Sequence, residues 1–132
     1  ENADLTLEDI TLQNGQEVNG GCAYAAEESR LVLVRVSVVN CAGDVGGAFY
    51  LQGSFLSAFD STFRGGSAIF DGGVVGLYTS STFEASRCNF TSNLAVEDGG
   101  VALVGDSSTF TVTNSSFTGN SATVGGVAHV DD

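Results

Sequence analysis

Gly20-Gly21, Gly46-Gly47, Gly72-Gly73, Gly99-Gly100 and Gly125-Gly126 fall 26, 26, 27 and 26 residues apart, dividing the whole chain at a nearly constant interval. A unit of this length has no room for a helix pair, and a single short supersecondary element cannot bury its apolar face except against its neighbours. The chain therefore reads as a single solenoid of about five coils of 26–27 residues, at 1–19, 20–45, 46–71, 72–98 and 99–124, with a partial coil at 125–132.

Columns behind the glycines identify the kind of solenoid. Counted from each first glycine, position +11 holds Leu5, Leu31, Leu56, Phe83 and Phe110, once one missing residue is allowed in the 46–71 coil. Position +13 holds Leu7, Leu33, Ala58, Ala85 and Val112, and position +18 holds Leu12, Val38, Phe63, Phe90 and Phe117. Apolar positions two apart, with polar residues between and Gly, Ser, Asn and Asp around them, are the mark of short strands joined by tight turns. Small residues at +21 (Gly15, Cys41, Gly66, Asn93, Asn120) and +23 (Glu17, Gly43, Ala68, Ala95, Ala122) read as the places where a coil turns. No segment reads as helix. The expectation is an all-β, right-handed parallel β-helix with three short strands per coil, each pairing with its counterparts above and below. At strand spacing, five coils make a rod about 25 Å long.

Phe90-Thr91-Ser92-Asn93 and Phe117-Thr118-Gly119-Asn120, each followed shortly by an alanine and a glycine pair, together with Gly46-Gly47-Ala48-Phe49, resemble the FxxN and GGA[ILV] repeats of chlamydial polymorphic outer-membrane proteins. Related repeats occur in large surface proteins of other microbes, including algae and protists. The resemblance implies a pectin-lyase-like β-helix on a cell surface, often adhesive. Two coils depart from the pattern: Phe63-Arg64-Gly65-Gly66 replaces Asn by Gly, and Val38-Val39-Asn40-Cys41 occupies the coil before it.

Charge narrows the partners. Sixteen acidic residues against four arginines and no lysine give a net charge of −12, which opposes binding to nucleic acid or an anionic membrane. No apolar run is long enough for a membrane-spanning helix. The chain begins at Glu1 and shows no signal peptide, so it reads as a processed product or an excised stretch of a longer protein. Of Cys22, Cys41 and Cys88, one must lack a partner within the chain. Cys41 and Cys88 read as small apolar fillers, with a Cys22–Cys41 bridge inside one coil as the alternative, and no metal-binding cysteine spacing is present. Asn89-Phe90-Thr91 and Asn114-Ser115-Ser116 are N-glycosylation sequons, expected near turns and, if used, belonging to a secreted eukaryotic glycoprotein.

Position +15 runs Asp9, Arg35, Asp60, Arg87, Asn114. The sign alternates coil by coil, so stacking sets opposite charges against each other and a slip by one coil sets Asp on Asp. This reads as a register-setting ladder in which exchanging Arg35 and Asp60 together is better tolerated than either change alone. Acidic residues also gather before the glycine pairs, at Asp44, Asp71, Glu97 and Asp98. These are weak Ca²⁺ candidates, because neither the nonapeptide calcium repeat nor an EF-hand loop accompanies them, and otherwise no cofactor is implied.

Several β-helices cleave acidic polysaccharides, but such sites need long loops, and here the repeat length scarcely varies. His129 stands without an evident partner, and Asp60 beside Arg35 and Arg87 is explained by the ladder. No catalytic residue is assigned. An ice-binding threonine array fails as well, since sites matching Thr79, Thr82, Thr109, Thr111 and Thr113 in earlier coils hold Glu28, Leu31, Val32 and Val34. Neither end carries a capping helix or a blunt charged strand, so further coils of the same protein or copies of itself are expected there. The sequence thus points to a non-catalytic extracellular or cell-surface structural protein, a rigid stalk or filament building block. The alternative is an adhesin module with a host receptor or glycan as partner.

Overall fold

The computed structural model describes residues 2–131, and it forms a parallel β-solenoid of about five turns with no helix among them. Each coil runs over four faces. The first face is built from Asp4–Glu8, Arg30–Val34, Phe55–Phe59, Thr82–Ser86 and Thr109–Thr113. The second holds Thr11–Gln13, Ser37–Val39, Thr62–Arg64, Asn89–Thr91 and Ser116–Thr118. A narrow third face holds Ala42–Gly43, Ser67–Ala68 and Leu94–Ala95, and the fourth holds Ala23–Ala26, Phe49–Gln52, Val75–Tyr78, Ala102–Val104 and Ala128–Val130. Every neighbouring pair of strands is parallel and belongs to successive coils.

The columns of the sequence are the register of the sheets. Leu5, Leu31, Leu56, Phe83 and Phe110 are bonded partners in succession, as are Leu12, Val38, Phe63, Phe90 and Phe117. The expected three strands per coil are four, however. The +21 to +23 segment, read as a turn, pairs across three coils because a buried Gly43, Ala68 or Ala95 lets two residues run straight beside the core. A two-residue strand is too short to show any alternation.

Between strands the chain turns at left-handed residues. Asp9, Arg35, Asp60, Arg87 and Asn114 all have φ of 49–54°, at the corner joining the first and second faces. The first glycine of each pair makes another such corner, with φ of 66° at Gly46. The second glycine answers to space instead: a Cβ on Gly47 would stand 2.2 Å from the Gly73 carbonyl oxygen one coil away. That contact is backbone, so nothing can give way, and the glycine ruler is accounted for.

Inside, phenylalanines stack along the axis. Phe63, Phe90 and Phe117 lie nearly parallel at 4.8 and 4.9 Å, and Phe83 and Phe110 at 5.1 Å. The two stacks meet edge to face at 6.0–6.3 Å, an arrangement that suits the ring quadrupoles. Cys41 is not merely a filler: it is bridged to Cys22 across a Cα–Cα distance of 5.7 Å, tying the end of the second face to the start of the fourth within one coil. Closing a loop of this length stabilises by about 3 kcal/mol. Cys88 remains a free, buried thiol.

Phe90 is fully buried at the centre of its own stack and meets both rings of the other edge to face. Phe90→Ala is expected to cost roughly 3–5 kcal/mol. Urea unfolding followed by circular dichroism checks this as a lowered midpoint at constant slope.

Candidate functional site

The charged corner between the first and second faces is the most ordered polar feature of the surface. Arg35 donates from Nε to Asp9 Oδ1 at 2.6 Å and from Nη2 to Asp9 Oδ2 at 2.8 Å, and it also reaches Glu8. Arg87 engages Asp60 in the same fork, at 2.6 and 2.9 Å. Arg35 makes no hydrogen bond to Asp60, so the expected continuous ladder is in fact two dyads. Arginine is long enough to fold back over the preceding coil, and each carboxylate is saturated by one bidentate partner. Hydrogen bonding to Arg87, followed by the charges of Arg87 and Arg35 against opposing desolvation, holds the Asp60 carboxyl below the usual carboxylate range. Asp9 is lowered likewise by Arg35. These depressed values stabilise the fold above pH 3.8, and that contribution is lost as pH falls through the folded values.

Pairing by dyads leaves the expectation for Arg35 and Asp60 standing. Exchanging those two breaks both dyads but re-forms one fork, with the arginine now at position 60 folding back over the aspartate at position 35. The double variant Asp60→Arg/Arg87→Asp keeps one fork, and both residue types already occupy this left-handed column. Its melting temperature, and that of Arg35→Asp/Asp60→Arg, is expected to stay closer to the parent than those of the corresponding single variants. The differences shrink in high salt, since every partner is exposed.

The FxxN motif has a second role beside its stacked rings. Asn93 is buried; its Oδ1 accepts from the Gly66 amide at 2.9 Å, and its Nδ2 donates to the Phe63 carbonyl at 3.1 Å and to Asn120 Oδ1 at 2.9 Å. Asn120 repeats the pattern on the Phe90 carbonyl. The same column holds Cys41, so one corner is tied by a disulfide low in the stack and by an asparagine ladder above it. Two serine columns were overlooked in the sequence. Ser81 and Ser108 accept from the amides of Ser54 and Ser81, and Ser61 and Ser115 from those of Val36 and Cys88. The signal was present: Ser29, Ser54, Ser81 and Ser108 recur once per coil. Cys88 stands in the second serine column, where burial pushes its thiol up.

The acidic residues before the glycine pairs do not assemble into one site. Asp71 lies within the field of Asp98 and Glu97, but among the described residues no three His, Cys, Asp or Glu side chains converge as a metal ligand set. Asp71 Oδ1 is buried with no hydrogen-bond partner. Desolvation first, and the neighbouring carboxylates second, push this carboxyl up from 3.8. A raised folded value means that stability falls as pH rises from 3.8 through that value. Asp71→Asn is therefore expected to melt higher than the parent at pH 7 and to lose that advantage in melts below pH 3.8.

Both sequon asparagines are exposed. Asn114 occupies the left-handed corner, whereas Asn89 opens a strand instead of a turn, with its Oδ1 accepting the Ser116 hydroxyl at 2.7 Å. On the fourth face Tyr24, Tyr50 and Tyr78 stack on the outside at 5.4 and 5.1 Å, Tyr78 leaning over Gly76. No protein-family model matches the chain, and no similar curated protein or solved structure was found. The residues carry the functional argument themselves. One open depression on the first face is lined by Asp4, Glu28, Arg30, Phe55, Thr82 and Glu84, a mixture of charges spread over a flat sheet.

Proposed function

We propose that the chain is a non-catalytic, β-helical structural segment of an extracellular or cell-surface protein, working as a rigid stalk or filament building block. The observation that carries this reading is the constancy of the coil: strands of successive coils stay in register on all four faces, and each corner is closed by one or two left-handed residues. A wall of this kind resists bending because each residue's backbone is bonded to the coils on either side. The Cys22–Cys41 bridge supports an oxidising compartment, and the FxxN and GGA-type repeats resemble those of chlamydial surface proteins. Asn89 and Asn114 would carry glycan in a eukaryotic secretory setting, on surfaces with room for it.

The alternative, an adhesin module for a host or glycan partner, draws on the exposed Tyr24–Tyr50 stack, although those rings turn their faces to one another and their edges to solvent. Electron microscopy of the native material tests the proposal. Uniform rods, or fibres with a repeat set by this unit, are the expected result. Turnover of an acidic polysaccharide by the purified protein would overturn it.

A further inference from the structure

Four of the eleven most exposed large hydrophobic side chains among the described residues stand together on the narrow third face and the corner after it, in two adjacent coils. They are Ile69, Phe70, Leu94 and Val96, each 43–56% exposed. Backbone bonds set them on two successive coils: Ser67 pairs with Leu94, the Val96 amide donates to Ala68 and the Glu97 amide to Phe70. Two coils and the side chains on them make a patch about 10 Å across. Isolated exposed hydrophobics are ordinary, but a contiguous patch with a polar rim marks an interaction surface.

The rim decides the partner. Glu17 and Asp44 line one depression with Val18 and Ile69, while Asp71, Glu97 and Asp98 directly follow Phe70 and Val96 in the chain. All four arginines stand elsewhere, on the first and second faces and the corner between them, and there is no lysine. A second copy would therefore set carboxylates against carboxylates, and an anionic membrane would be repelled.

We propose that this patch docks a basic polypeptide segment whose apolar side chains lie along it and whose lysines or arginines meet the flanking carboxylates. Such docking requires neither stalk nor filament, so its failure leaves the structural role untouched. About two turns of α-helix cover the patch, within a peptide of about 13 residues. The probe is an amphipathic leucine–lysine peptide of that length, followed by fluorescence anisotropy and by amide chemical shifts of the labelled protein.

The expected result is saturable binding with shifts centred on Ile69, Leu94, Val96 and Glu97. Ile69→Ser/Val96→Ser, at exposed positions that the fold does not need, is expected to weaken it about tenfold without lowering the melting temperature. Asp44→Asn/Glu97→Gln is expected to weaken it and flatten its salt dependence. Equal binding by the double-serine variant, equal binding of a serine–lysine peptide, or shifts mapped to the tyrosine face would overturn the proposal. So would sedimentation of the protein alone as a dimer that the double-serine variant abolishes.

Discussion

Parallel stacking in register governs everything else in this molecule. Each coil satisfies its backbone amides and carbonyls on the coils above and below, so every residue is held one strand spacing from the residue at the same position of the repeat. A side chain must then tolerate a neighbour of its own kind. Phenylalanine does so by stacking, asparagine by passing hydrogen bonds upward, serine by capping the next amide, and glycine by leaving room for a carbonyl. Like charge repeats only against repulsion, as at Asp71 and Asp98, and in the corner column the chain alternates instead.

This constraint explains what the sequence disclosed. Leu31, Leu56 and Phe83 could be placed opposite one another by counting alone, because stacking turns sequence period into spatial contact. The third face could not, since Ala42–Gly43 is too short to alternate and its inward residues look like turn residues. The Cys22–Cys41 bridge was likewise open, because its partners sit in different columns and their approach depends on how the second and fourth faces meet around the small third one. Pairing within the charge column depended on the reach of arginine, and the patch of Ile69 and Val96 on which side of a two-residue strand faces solvent.

The surface divides by consequence. The charged corner and the inner stacks hold coils to one another, and their loss would loosen the wall along its length. The third face contributes little to that cohesion, as its few strand residues and exposed valines indicate. A regular wall thus leaves one side free to vary while three sides keep the register.

The two dyads give the molecule a hidden parity. Structurally the unit is one coil, but electrostatically it is two, since Asp9 with Arg35 and Asp60 with Arg87 each span a pair. Excising the single coil that carries Arg35 would place Asp9 against Asp60, whereas excising that coil together with the next would return Asp9 to an arginine. A wall of this design lengthens or shortens without leaving a charge unpartnered only in even steps.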